Sequence, residues 1–217
     1  MIVAAQPSLP RLSEPVLPPV VHPVSEPLVA VWHRRIRVLG NYWHAGWTCA
    51  LPGAWLRSGA YDRLVTAVEA LPEGFGFAIF DAWRPLPLQA ELFDAAYTNP
   101  SLPPGYIAEP IADRAYPPPH LTGGTVDITL TFEGIPLGLG SDFDDFTPAA
   151  ATDSLEGVAG VERELRRLLY HSLRGVGFVV LDCEWWHFEY GTPRWAGLVG
   201  AQPIYGPASL PSGPLTR

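Results

Sequence analysis

Apolar positions recur along the chain with two different periods. After Ser58, which can cap a helix running to about Ala70, Leu64, Val65, Val68 and Leu71 fall on one helical stripe, and "PEG" then supplies a stop. The run "FGFAIFD", residues 75 to 81, is short and continuously apolar, which predicts a buried strand. In "RPLPLQAELFDAAY" the prolines stand where a helix starts, and Leu88, Leu92 and Phe93 follow at helical spacing. "TVDITLTF", residues 125 to 132, alternates strictly: Val126, Ile128, Leu130 and Phe132 on one face, Asp127, Thr129 and Thr131 on the other. Residues 154 to 174 carry the longest helical stripe, with Leu165, Leu168, Leu169 and Leu173, and Gly175 and Gly177 end it. "FVVLDCEWWHFEY" then reads as an aromatic-rich strand. The sum predicts an α+β fold, helices packed on a mainly antiparallel central sheet.

The segments flanking this pattern differ in composition. "MIVAAQPSLPRLSEPVLPPVVHPVSEP" has no basic leader followed by an unbroken apolar run, and its prolines at 7, 10, 15, 18, 19, 23 and 27 would break a spanning helix. Proline at this density favours an extended arm, loose or draped over the domain. The tail "QPIYGPASLPSGPLTR" has the same character. The expected organisation is an arm over residues 1–30, one domain over 31–200 and a tail over 201–217. With 217 residues, 47% of them apolar, the chain is long enough for a single sizeable core. A net charge of −8, with only 14 Lys and Arg, argues against a nucleic-acid partner. No membrane segment or secretion signal is visible, which favours the cytoplasm. Cys49 and Cys183 read as two ordinary thiols, in keeping with a reducing compartment.

Three stretches carry candidate chemistry. In "HLTGGTVDITL", His120 and Asp127 stand seven positions apart around a double glycine, and the aspartate lies at the start of a core strand. A carboxylate buried alone is costly, so a cation or a set of donors is expected opposite it: an arginine, a turn amide or a metal ion. The glycines could equally form a simple turn. In "EWWH", Glu184 and His187 are three residues apart, so a regular strand would point them to opposite faces; a bulge or turn must intervene if both serve one site. Two imidazoles and one carboxylate, His120, Asp127 and His187, suit a zinc ion with an open fourth position, and zinc lowers the pKa of a bound water to roughly 7. Glu184, outside that set, is the candidate base. In "FDAWRP", Arg84 precedes a proline-started helix. It can pair with Asp81, or stabilise negative charge on an attacked carbonyl. His22, His33, His44 and His171 read as ordinary polar residues.

Taken in order, "DAWRP", "HLTGGTVDITL", "LGSDFDDF" and "RRLLYHSLRGVGFVVLDCEWWHF" resemble the zinc D-alanyl-D-alanine dipeptidases of the vancomycin-resistance type, in the group that also holds D,D-carboxypeptidases and the hedgehog zinc domain. The resemblance covers about residues 41 to 190. It implies a single domain with a zinc cleft and one Zn2+ per chain held by His120, Asp127 and His187, with Glu184 as base and Arg84 steadying the transition state. Asp144, in "SDFDDF", matches an acid suited to a substrate ammonium group, and Asp81 and Trp186 join it as expected substrate-binding residues. The implied reaction is hydrolysis of a short D,D-dipeptide in cell-wall metabolism. A carboxypeptidase acting on longer cell-wall peptides and a non-catalytic zinc-stabilised binding domain are the alternatives. Pro118 stands where the family has a serine, "DFTPAAA" replaces a charged stretch, and the tyrosine expected upstream of "NYW" is not evident. These departures leave the zinc set whole and bear on which dipeptide is accepted.

Overall fold

The computed structural model describes residues 4–102 and 104–210. Its strands are β1 (Leu28–Ala30), β2 (Ile36–Val38), β3 (Trp55–Arg57), β4 (Phe75–Asp81), β5 (Thr125–Phe132), β6 (Ile135–Pro136), β7 (Val179–Val180) and β8 (His187–Glu189). Its α-helices are α1 (Asn41–His44), α2 (Ser58–Ala70), α3 (Leu86–Ala96), α4 (Val161–Gly175) and α5 (Pro193–Val199). The result is a single α+β domain. The main sheet runs β2-β4-β5-β8-β7 with β6 beside β5, and β1 pairs separately with β3. It is mixed rather than purely antiparallel: β2 lies parallel to β4, an edge that the three-residue apolar pattern of β2 does not reveal.

Helix α2 and strands β4 and β5 form where the apolar periods place them. On α2, Ala60, Leu64, Ala67 and Val68 turn inward against one face of the sheet, where Phe77, Ile79, Val126, Ile128 and Leu130 are buried. Leu165, Leu168, Leu169 and Leu173 of α4 extend the same core. Two elements differ from the pattern. The helix expected from residue 154 begins only at Val161, because Gly157 and Gly160 leave 154–160 in turns. The aromatic segment is not one strand but a hairpin, β7 and β8 paired antiparallel with residues 181–186 between them.

The proline-rich arm is draped over this core. Gln6 and Pro7 offer carbonyls to Arg167 and His171 of α4, and Val24 donates to the Ile204 carbonyl at 2.7 Å. Glu26 accepts from the Gly59 amide at 2.8 Å and from the Ser58 hydroxyl, so the start of α2 is capped by the arm and not by Ser58. The arm's last residues, Leu28–Ala30, form β1. Residues 1–3 and 211–217 of the expected arm and tail lie outside the described residues. No described helix is long and apolar enough to cross a membrane.

The double glycine serves two different ends. Gly123 takes a left-handed conformation (φ 75°) that closes the 3-10 turn Pro119–Thr122, which delivers His120. Gly124 allows close backbone approach: Tyr190 donates to its carbonyl at 2.8 Å, and a Cβ there would lie 2.1 Å from the Tyr190 oxygen. Gly124→Ala is therefore expected to destabilise the fold by about 3 kcal/mol in urea unfolding, since neither strand can yield without losing its pairing. Gly138→Ala, where a Cβ meets nothing within 4 Å, should stay within about 0.5 kcal/mol of the parent.

Candidate metal centre and its cleft

Strand register sets the centre. Across three neighbouring strands, Asp81 of β4 pairs with Asp127 of β5, and Asp127 pairs with His187 of β8. A register shift between Ile79 and Asp81 brings Asp81 opposite Asp127. The 3-10 turn just before β5 adds His120. His120, Asp127 and His187 are all buried, and one ligand atom from each lies within 4.8 Å of the others.

Hydrogen bonds fix how these groups face one another. His120 Nδ1 lies 2.6 Å from the Ala82 carbonyl, which can only accept, so Nδ1 carries the proton and Nε2 presents a lone pair 3.3 Å from Asp127 Oδ2. His187 Nε2 lies 3.1 Å from Glu189 Oε1 and donates to it, which turns the Nδ1 lone pair toward Asp127 Oδ1, also at 3.1 Å. Two nitrogen lone pairs thus converge on one buried carboxylate, an arrangement that repels itself unless a cation stands among them. Without a metal, a proton takes that place: burial opposes charge on His187, yet Asp127 and Glu189 outweigh it and push the imidazole up to about 10. Burial alone would raise Asp127, but the two imidazoles hold it well below the usual carboxylate range. This N,N,O donor set, neutral at both nitrogens once metal replaces the proton, fits a zinc ion.

Glu184 lies beside the donor set and outside it, its Oε2 3.8 Å from His187 Nδ1. The required break in the strand is a turn: the His187 amide donates to the Glu184 carbonyl, so Glu184 and His187 reach one cleft. Burial pushes Glu184 up to about 8. The same turn sends Trp185 and Trp186 inward. Trp186, expected at the substrate, is 1% exposed, packs on Phe143 and Trp185, and does not line the cleft.

Arg84 is buried and its pKa is raised: burial opposes the charge, but Tyr42, Asp81 and Asp127 more than offset it. Its Nε donates to Asp81 at 2.8 Å, Nη1 to Gln89 at 2.9 Å, and Nη2 lies 3.6 Å from Asp127 Oδ2. Asp81, also expected to meet substrate, sits behind Arg84 as its holder and does not line the cleft. Asp144 does line it. Its backbone is left-handed (φ 60°), Tyr42 donates to its Oδ2 at 3.0 Å, and burial together with the charge of Asp127 pushes it up to about 7.

The cleft that joins these groups measures about 390 Å³. Three polar residues of its lining that the sequence reading passed over support the centre. Tyr42 bridges Arg84 and Asp144 from within the "NYW" stretch. Gln89 ties Arg84 to the Ala108 carbonyl of the loop over 104–118. Glu189 holds His187, accepts in turn from Thr192 and forms an ion pair with Arg194 at 3.3 Å. Of these, Glu189 was readable: in "HFE" a two-residue step along a strand returns to the same face as His187.

The sequence profile of a family described as D-ala-D-ala dipeptidase matches residues 59–197, well over half of the chain. A D-alanyl-D-alanine dipeptidase of Synechocystis is 27% identical over 175 residues, covering 65% of this chain and 71% of that protein. One from Escherichia coli is 33% identical over 117 residues, covering 54% of this chain and 55% of that protein.

Glu189→Gln keeps the shape of the group behind His187 and removes its charge. It is expected to weaken zinc binding by about tenfold or more in competition with a chromophoric chelator; an unchanged affinity would show that Glu189 does not tune the imidazole.

Proposed function

Because the chain belongs to the D-ala-D-ala dipeptidase family, we propose that it is a zinc metallopeptidase that hydrolyses D-Ala-D-Ala or a close relative in cell-wall metabolism. The observation that carries this reading is the convergence of two imidazole lone pairs and one carboxylate at a cleft that also holds an uninvolved acid and a buried guanidinium. His120, Asp127 and His187 would hold the ion. Bound there, zinc supplies Lewis acidity toward the scissile carbonyl and a water of lowered pKa.

The chain's own groups account for the rest. Glu184, with a proton affinity near neutrality, takes the proton of the attacking water and delivers it to the leaving amine. A structural metal would need no such group beside it. Arg84 donates to the oxygen that gains negative charge as the carbonyl becomes tetrahedral. Its position needs no rearrangement, since Asp81 and Gln89 fix the guanidinium from behind. Asp144 pairs with the free amino terminus of the substrate, which favours a dipeptidase over a carboxypeptidase. Pro118 lines the same cleft where the family has a serine, and it removes a donor from the substrate's surroundings.

Glu184→Gln is expected to keep one zinc per chain while kcat on D-Ala-D-Ala falls by about 10³-fold. Arg84→Met should likewise retain zinc and lose about 10²- to 10³-fold in kcat. Metal analysis alongside turnover of D,D-, L,D- and L,L-dipeptides checks both. Absence of hydrolysis by the zinc-loaded parent protein on every member of that panel would end the peptidase reading.

A further inference from the structure

We propose that the proline-rich arm is part of the substrate site: the segment from Glu14 to Val20 straps the cleft, and Leu17 limits the length of peptide admitted. This rests on the peptidase reading above. The arm precedes the span matched by the family, which begins at residue 59, yet Leu17 lines the same cleft as His120, Glu184 and Asp144.

Anchors on both sides of Leu17 hold it there. On one side, Glu14 pairs with Arg194 at 2.8 Å, and the Val16 carbonyl packs so closely on Gly197 that a Cβ would lie 2.4 Å from it. Both partners belong to α5, which gives Pro193 and Arg194 to the cleft. On the other side, the Val20 amide donates to the Ala115 carbonyl at 2.9 Å, in the loop that gives Tyr116 and Pro117 to the lining of the same cleft. Leu17 therefore sits between two attachments, each to a segment that contributes to the cleft lining.

Pro15, Pro18 and Pro19 restrict the backbone on either side of Leu17, so the strap needs little further ordering when a ligand enters. Leu17 remains 42% exposed, an apolar side chain in the lining of a cleft that also holds the metal-binding and charged groups. Such a wall accepts a small aliphatic side chain. It offers no hydrogen bond to the additional peptide unit of a longer substrate, whose desolvation then goes uncompensated. Arg194 also contacts Glu189, so the anchor of the strap shares a residue with the support of His187.

The test compares kcat/KM for D-Ala-D-Ala-D-Ala and for D-Ala-D-Ala in the zinc-loaded full-length protein. In Leu17→Ala the tripeptide-to-dipeptide ratio is expected to rise about tenfold, and in Leu17→Trp to fall. Glu14→Gln, which loosens one anchor without touching the cleft wall, should raise the ratio by a smaller factor. A merely structural arm would depress both substrates together and leave the ratio alone. An unchanged ratio in Leu17→Ala and Glu14→Gln, with the parent protein active on the dipeptide, overturns the proposal. A parent protein inactive on both peptides overturns the peptidase reading, and this proposal with it.

Discussion

Two imidazoles whose outer nitrogens are committed as donors must turn their lone pairs inward, and here both lone pairs meet the same buried carboxylate. That constraint organises the centre. His120 donates to a backbone carbonyl and His187 to Glu189, so neither ring can rotate to relieve the repulsion without breaking a buried hydrogen bond. A cation is needed at the point of convergence. The surrounding charges fit this need: the imidazoles hold Asp127 ionised against its burial, while burial first, and the charge of Asp127 after it, raises the proton affinity of Glu184 and Asp144. Filling the site with a divalent ion would lower the proton affinity of both acids, which readies one to accept a proton and the other to hold an ammonium group.

The sheet makes this arrangement rigid. Asp81, Asp127 and His187 occupy one row across β4, β5 and β8, so the positions of the guanidinium's partner, the central carboxylate and one imidazole are set by backbone register rather than by loops. Arg84 then completes a chain of contacts from Asp81 through Gln89 to the loop over 104–118. Its charge is stabilised where charge is otherwise expensive, which is the condition for a group meant to meet a developing oxyanion without reorganising.

Strong periodicity made much of this legible. Strands β4 and β5 and helix α2 follow directly from runs of the right length, and the parity of "TVDITLTF" puts Asp127 on the face opposite the core. Shorter elements escaped, because three residues carry no period: β2 and its parallel pairing are fixed by tertiary contacts such as the Phe77 amide to the Arg35 carbonyl. Trp186 misled for a related reason. Its neighbours Glu184 and His187 face the cleft, but adjacency along a turn says nothing of direction, and the indole fills the core. Tyr42 and Gln89 lay beyond reach because their roles depend on a guanidinium approached from two distant segments.

The arms show how a domain can recruit chain outside its family's matched span by polar ties as well as apolar packing, for Tyr205 of the tail belongs to the main core and Leu9 and Leu12 of the arm pack against it. Arg57 is buried, and burial lowers its pKa; Tyr205 and the charge of Glu26 oppose that shift, yet among the described residues no carboxylate forms an ion pair with it. Instead its guanidinium donates to the carbonyls of Glu26, Thr122 and Gly206, which belong to the arm, the turn beside His120 and the tail. Proline-rich segments suit this use, because a residue without an amide hydrogen still offers its neighbours' carbonyls freely and has little entropy to lose. One cation thereby ties both flanking segments to the turn that carries a candidate zinc ligand. The arm that lends Leu17 to the cleft lining is thus tied, through Arg57, to the turn that carries His120.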